Sequence, residues 1–119
     1  MTIPSYEQIM LPLLSFARDQ KEHSNGESLE YIIRVFNISP DEQKIILKSG
    51  RQSVIENRVA WARTYLKKAG LLESKQRARF NITELGLRVL KENPTEITDK
   101  YLMQFEAFQD FQKRHREDK

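Results

Sequence analysis

Apolar residues recur at helical spacing in the first third of the chain, and they predict two helices. The first would bury one face, formed by Tyr6, Ile9, Met10, Leu13, Leu14 and Ala17. Pro12 lies within this stretch, and because proline lacks a backbone N–H we expect a kink or a new helix start near Leu11. A capping box of Ser24 and Glu27 opens the second helix. Its buried face is predicted to be Leu29, Ile32, Ile33 and Phe36.

The middle of the chain predicts two more helices. Ser39 followed by Pro40 is typical of a helix start. The short helix that follows is expected to hold Ile45, Ile46 and Leu47 and to end near Gly50. The longest amphipathic stretch, residues 53–69, begins with a capping box of Ser53 and Glu56 and stops at Gly70. Its apolar face consists of Ile55, Val59, Ala62, Leu66 and Ala69.

The hydrophobic period changes to that of strands after Gly70. Residues 71–74 and 79–82 read as two short strands around a polar tip at 75–78, and residues 21–24 are a candidate third strand. Thr83 then caps a helix that carries Leu85, Leu87, Val89 and Leu90. A last amphipathic helix is expected to carry Tyr101, Leu102, Phe105, Phe108 and Phe111.

The order of these elements predicts a mainly α fold with a small antiparallel β-hairpin, the winged helix-turn-helix. We assign residues 1–112 to this domain and residues 113–119 to a charged, flexible tail. A chain of 119 residues, 39% of them hydrophobic, is the size of one domain. The chain has no cysteine, which excludes disulfides, thiolate zinc sites and cysteine nucleophiles.

Other sequence features narrow the function classes. The two histidines, His23 and His115, lie far apart without further ligands, so we expect no metal and no cofactor. Two Glu-x-Lys pairs, at Glu42 and Glu73, are expected by chance in a chain this charged, and we expect no catalysis. Neither a signal peptide nor a membrane span is apparent, so we expect a soluble cytoplasmic protein without membrane partners.

The positive charge is concentrated in residues 48–79, which hold nine Lys and Arg against two acidic residues, a net charge of +7. The flanking segments carry net charges of −3 and −1. In a winged helix, the long helix and the hairpin of this segment face the duplex, where cations release phosphate counterions. The candidate nucleic-acid contacts are Arg51, Gln52, Ser53, Asn57, Arg63, Lys67, Lys68, Arg77 and Arg79.

These residues suit different roles. Those able to read base edges are Gln52, Ser53, Asn57 and Arg63. Those suited to phosphates are Arg51, Lys67 and Lys68, and the start of the long helix is a further phosphate seat. Arg77 and Arg79 would follow the backbone or enter the minor groove. On the helical wheel, the residues expected furthest from the apolar face are Glu56, Ala60, Arg63 and Lys67.

Less specific interpretations stay open at this point. A basic helix face is often only solvated, and winged helices also dock proteins. Trp61 and Tyr65 fit packing better than base stacking, and Arg58 fits a structural role with its head paired to a carboxylate. The rival functions are a transcriptional regulator, which would bind one operator, and an interaction or dimerisation module. The latter would expose the aromatic residues of the last helix.

Several strings of residues resemble the N-terminal domain of the Mrr family of modification-dependent restriction endonucleases. The most specific are Ser49-Gly50-Arg51-Gln52 and Asn57-Arg58-Val59-Ala60-Trp61-Ala62, followed by Arg63-Thr64-Tyr65-Leu66-Lys67-Lys68-Ala69-Gly70-Leu71-Leu72. Weaker similarity extends over Ile3-Pro4-Ser5-Tyr6, Met10-Leu11-Pro12-Leu13-Leu14, Ile82-Thr83-Glu84-Leu85-Gly86, Asn93-Pro94 and Gln104-Phe105-Glu106-Ala107-Phe108.

The resemblance implies a domain that recognises double-stranded, methylated DNA and delivers a C-terminal nuclease domain absent from this sequence. The chain would then be an excised domain or a stand-alone relative that does not cut DNA by itself, with a fused nuclease domain or a second copy as protein partner. Family members commonly have Arg-Gly at the wing tip, whereas Ala78 follows Arg77 here. The Cβ of alanine disfavours a left-handed turn at that point.

Overall fold

A computed structural model describes the backbone of residues 3–117 and the side chains of residues 3–114. The helices are α1 (Tyr6–Phe16), α2 (Asn25–Val35), α3 (Pro40–Gln43), α4 (Val54–Lys68), α5 (Glu84–Lys91), α6 (Asp99–Leu102) and α7 (Glu106–Glu117). A 3-10 turn, Ala17–Asp19, follows α1. The strands are β1 (His23–Ser24), β2 (Leu72–Glu73) and β3 (Arg79–Ile82). The mainly helical fold with a small antiparallel sheet is the predicted class.

The three strands form one antiparallel sheet in the order β1-β3-β2. His23 lies opposite Phe80, and Leu72 lies opposite Ile82. The predicted hairpin and the candidate third strand are therefore both confirmed. We call residues 72–82 the wing. Because β3 pairs on both sides, the wing is anchored to the segment that leads into α2.

The core lies between α1 and α4 and extends under the wing. From α1, Ile9, Leu13 and Leu14 are fully buried, and from α4 so are Ala62 and Leu66. Phe80 fills the space beneath the sheet. Each buried Ile, Leu or Phe side chain contributes about 1.5–3 kcal/mol on burial, so this cluster fixes how α4 sits in the fold.

Reciprocal capping boxes open four of the helices. In each one a serine hydroxyl accepts a hydrogen bond from the third backbone N–H of the helix, while the third side chain accepts one from the serine N–H. The pairs are Ser5–Gln8, Ser24–Glu27, Ser39–Glu42 and Ser53–Glu56. The helix starts predicted at Ser24, Ser39 and Ser53 are confirmed, as is Thr83 at α5.

One prediction about the helices is wrong, and one alternative of another is excluded. α1 runs through Pro12 as one helix with buried residues on both sides of the proline, so no new helix starts near Leu11. The helix predicted to contain Ile45 and Ile46 ends at Gln43. Instead, Ile46 pairs with Ser53 in an antiparallel bridge, supported by hydrogen bonds from Leu47 N to Gln52 O (3.0 Å) and from Val54 N to Ile45 O (2.8 Å). We call residues 45–54 the pre-helix hairpin.

The last predicted helix is divided into α6 and α7 by a turn around Phe105. α7 continues through the charged segment as far as Glu117, past the predicted boundary at residue 112; residues 118–119 lie outside the described part. Leu102 and Phe108 are fully buried. α6 is tied to α1 because the Tyr6 hydroxyl donates to Asp99 and the Asp99 backbone N–H donates to Glu7 Oε2 at 2.9 Å. Over the part of the chain with described residues, every helix is too short or too polar to cross a bilayer.

Candidate nucleic-acid interface

α4 holds four of the nine predicted contacts, and its side chains divide between solvent and neighbouring helices. Lys67 and Lys68 in its last turn and Glu56 in its first turn are exposed. Trp61 is also exposed, at 45%, although its ring stands edge-on to that of Tyr65 with 5.8 Å between centroids. Tyr65 itself contacts Tyr6 and Phe108, which confirms its predicted packing role.

Arg63 does not lie where the helical wheel placed it. Its side chain is half-buried against α2, and its guanidinium Nη1 donates to the Ser28 hydroxyl at 3.4 Å. Burial lowers the pKa of Arg63, although the group stays charged at neutral pH because it starts from a very high value. Arg63 also borders a concavity of about 180 Å³ beside Asn25 and Gly26 at the start of α2. It therefore links α4 to α2 instead of projecting from the outermost face.

Lys67 lies in a local excess of positive charge. Burial lowers its pKa, and the nearby charges of Arg63 and Lys68 lower it further. The side chain of Lys68 contacts α7. Its ammonium lies 5.4 Å from the centre of the Phe111 ring, in a cation–π contact. All three cations thus lie in the C-terminal half of α4, and an anion at Lys67 would relieve the repulsion from its two neighbours.

More polar side chains at the start of α4 make hydrogen bonds within the protein than the sequence predicts. The Ser53 hydroxyl accepts from Glu56 N at 3.2 Å and donates to Glu56 Oε1 at 2.8 Å. The side chain of Ser53 is therefore used in capping, and the Glu56 carboxylate stands where a phosphate seat was expected. Beside it, Asn57 Nδ2 donates to Gln52 Oε1 at 3.3 Å. This pairing orients both amides, and among described residues Gln52 Nε2 and Asn57 Oδ1 have no hydrogen-bond partner.

The two arginines of the wing differ in exposure and in ion pairing. Arg77 at the tip is exposed and makes no ion pair with any residue of the described side chains. Arg79, the first residue of β3, is half-buried, and its Nε lies 2.9 Å from Glu22 Oε1, so its charge is largely compensated. Ala78 takes the left-handed conformation, with φ +63°, and its carbonyl accepts from Asn25 N at 2.9 Å. That hydrogen bond holds the tip in a turn that alanine disfavours.

Sequence reasoning missed two features of this surface. Arg58 is structural, as predicted, but its Nη1 donates to the carbonyls of Ile3 (2.8 Å) and Pro4 (3.2 Å), not to a carboxylate. The pre-helix hairpin carries Lys48 and Arg51 exposed around a turn at Gly50, whose φ is +73°. The sequence signal for that turn was the lysine-serine-glycine-arginine string, which was interpreted as a helix end.

A histidine cluster lies under the wing, away from these cations. His23 Nε2 is 2.9 Å from Asp19 Oδ1, and His23 Nδ1 is 3.1 Å from Glu27 Oε2. Its ring also packs on Phe16 at 4.4 Å. The two carboxylates face opposite ring nitrogens, so they cannot share a metal ion. Across the part of the chain that the structure describes, no group of three or more His, Cys, Asp or Glu is arranged to bind one.

Comparison with known proteins identifies a family and a curated relative. The sequence profile of the Mrr N-terminal domain matches residues 6–92. The Type IV methyl-directed restriction enzyme EcoKMrr of Escherichia coli (strain K12) is 27% identical over 101 residues, which cover 84% of this chain and 33% of that enzyme. The chain therefore spans about a third of the length of the curated relative that it matches. No solved structure is significantly similar to this one.

Proposed function

Because the chain belongs to the Mrr N-terminal domain family, we propose that it binds double-stranded DNA for a restriction system. Strand cleavage is assigned to a separate nuclease domain, as in the endonucleases that the sequence resembles. In this proposal α4 enters the major groove and the wing follows the adjacent backbone. The protein would be cytoplasmic, since that is where the duplex substrate lies.

One observation supports this proposal above the others. Lys67 and Lys68 are exposed in the last turn of α4 and Arg77 is exposed at the wing tip, and none of the three makes an ion pair with a described side chain. A compact group of cations without carboxylate partners binds a polyanion by displacing its counterions. Glu22 compensates the charge of Arg79. We therefore assign Arg79 to anchoring the wing and Arg77 to contacting phosphate.

Base reading is proposed for residues on both sides of the α4 N-cap. The oriented amides of Gln52 and Asn57 are suited to the donor and acceptor pairs of base edges in the major groove. Arg63 would reach a base only by leaving Ser28, and Ser53 only by leaving its cap. We therefore give Gln52 and Asn57 the specific contacts and Arg51, Lys67 and Lys68 the phosphates. Arg63 sets the local potential.

The structure favours DNA binding over a protein-interaction module. That rival requires the aromatic side chains between positions 101 and 111 to form an exposed surface. Instead, Phe108 is fully buried, and Tyr101, Phe105 and Phe111 pack against the core. These residues close the fold. A transcriptional regulator of the same architecture is separated from a restriction domain by selectivity, since a regulator binds one operator far more tightly than other duplexes.

The test is a titration of fluorescent duplexes at several salt concentrations, followed by anisotropy. Charge reversal in the variant Lys67→Glu/Arg77→Glu should weaken binding and reduce the dependence of log Kd on log salt by about one for each lost phosphate contact. Lys91→Glu/Lys100→Glu changes the net charge equally on exposed residues outside the interface and should bind like the wild type. Equal affinity of the two variants would remove α4 and the wing from the interface.

Methylation is tested in the same titrations. The relative is named as methyl-directed, and we propose that the duplex bound by this chain is methylated. Matched duplexes that differ only in adenine or cytosine methyl groups should then differ in Kd, while Lys67→Glu/Arg77→Glu lowers both alike. Identical Kd values for all matched duplexes would remove methyl recognition and leave DNA binding in place.

A further inference from the structure

The pre-helix hairpin is an ordered projection that the family assignment does not explain. Its two arms are joined by the Ile46–Ser53 bridge and flanking backbone hydrogen bonds. Its turn is closed by Gly50 N donating to Leu47 O at 2.8 Å. The molecule therefore presents two hairpins, one immediately before α4 and one after it.

The charge on this hairpin has one sign. Lys48 and Arg51 on the hairpin and Lys44 immediately before it are exposed, and residues 43–52 contain no acidic residue. The nearest carboxylates, Glu42 and Glu56, each accept a hydrogen bond from the backbone N–H of a capping serine. Between these two capping carboxylates, the charged side chains of the segment are all positive.

The hairpin is continuous with the proposed α4 contact surface. A shallow concavity of about 370 Å³ runs between them, lined by hairpin residues Ile46, Gly50 and Arg51 and by Ser53 and Glu56 at the α4 start. Ile46 is 59% exposed and Ile45 is 49% exposed. Apolar side chains beside cations suit the sugars and base methyl groups that lie between phosphates.

We propose that the pre-helix hairpin is a second DNA-contacting projection, so that two hairpins grip the duplex on either side of α4. Lys44 and Lys48 neutralise phosphates beyond the reach of α4, and Ile46 packs on the groove wall. This inference rests on the proposed function, and it adds an element that winged-helix docking by α4 and the wing does not require. The duplex footprint should therefore extend past the N-terminal end of α4.

Neutralising the two lysines tests the phosphate contacts. In Lys44→Gln/Lys48→Gln the salt dependence of log Kd should fall by about two relative to wild type. The control Lys91→Gln/Lys100→Gln removes the same charge from exposed positions on α5 and α6. Both variants should keep the wild-type thermal transition, because all four side chains are exposed. If the hairpin variant matches this control while Lys67→Glu/Arg77→Glu loses affinity, Lys44 and Lys48 contact no phosphate and the second-projection proposal is overturned. The proposed function still stands, because it uses only Arg51 and Gln52 of this hairpin.

The absence of cysteine makes a direct test of position available. Single cysteines introduced by Ser49→Cys at the hairpin turn, Gln76→Cys at the wing tip and Glu92→Cys after α5 would each carry an iron-chelate cleavage reagent. On a mixed-sequence duplex of about 20 base pairs, two helical turns, the first two should cut at separate positions and the third should not. Cutting from the wing position alone would overturn the proposal.

The exposed isoleucines supply the last discriminating outcome. Ile45→Ser/Ile46→Ser should weaken duplex binding without changing the molecular mass in solution by light scattering. A variant that instead binds DNA normally while a wild-type dimer dissociates would assign the hairpin to contact between protein copies, and would overturn the proposal.

Discussion

The two hairpins that flank α4 reach similar turns by different means. At the tip of the pre-helix hairpin the left-handed residue is Gly50, and an added Cβ there would meet nothing within 4 Å. At the wing tip the left-handed residue is Ala78, which is held by a hydrogen bond from Asn25. The first turn follows from its own residue type, whereas the second depends on a contact from α2.

The two hairpins also differ in how they are anchored to the rest of the fold. The wing is anchored by Phe80, which is fully buried, and by the Arg79–Glu22 ion pair. The pre-helix hairpin is held by backbone hydrogen bonds, and its isoleucines stay exposed. A hairpin anchored in the core shares the stability of the whole fold, while one held by its own backbone opens at lower cost.

The largest expected effect is on the free energy of unfolding, and it distinguishes the anchoring of the two hairpins. Phe80→Ala should lower the free energy of unfolding by about 3–5 kcal/mol, because it leaves a cavity beneath the sheet. Ile46→Ala, the matched apolar truncation on the other hairpin, should change it by about 0.5 kcal/mol or less. Urea denaturation followed by circular dichroism measures both. Similar losses in the two variants would contradict the difference in anchoring.

A smaller effect is expected at the turn of the pre-helix hairpin. Gly50→Ala should destabilise the protein by about 1 kcal/mol, since the left-handed conformation disfavours alanine and the surrounding space does not. The same denaturation measurement applies. Gly26→Ala is the control, because Gly26 lies in a helix with ordinary φ and has room for a Cβ. Stability unchanged by Gly50→Ala would show that the turn relaxes freely.

The reverse substitution at the wing should have the opposite sign. Ala78→Gly relieves the left-handed strain but adds freedom to the unfolded chain, so the net gain should stay below about 1 kcal/mol. The midpoint of thermal unfolding should rise by a few degrees at most. A clear decrease would mean that the Ala78 methyl group makes a stabilising contact that outweighs the strain.

The last prediction concerns the slope of stability with pH beneath the wing. Burial alone would lower the pKa of His23, but its hydrogen bonds to Asp19 and Glu27 outweigh burial and raise it. Its contribution is therefore complete below the unfolded pKa of about 6.5 and is lost as the pH rises through the higher folded value. Thermal unfolding between about pH 5 and 8 measures it, and His23→Gln should flatten the curve. An unaltered slope in the variant would exclude His23 as the source.

Features determined within a few residues were predictable from the sequence. The serine boxes at Ser24 and Ser53 define helix starts through contacts only three residues apart. The wing strands follow from a change of period after Gly70. The charge excess of residues 48–79 was equally visible, because net charge needs no coordinates.

Features that depend on distant partners were not predictable. Arg63 donates to a serine 35 residues earlier, and Arg79 pairs with a glutamate 57 residues earlier. Nothing in the residues around either arginine indicates that its charge is used within the fold. The pre-helix hairpin was missed for a related reason, since three consecutive apolar residues fit a helix or a strand equally well.

The Arg58 contact with the carbonyls of Ile3 and Pro4 has a practical consequence. Those bonds tether the leading segment to the first half of α4, one residue from the proposed base reader Asn57. A bulky tag fused ahead of residue 3 would therefore strain these Arg58 hydrogen bonds. A tag beyond α7 would instead strain the packing of the α7 aromatic residues against the core. Binding assays should compare both fusion sites before an affinity is attributed to the domain itself.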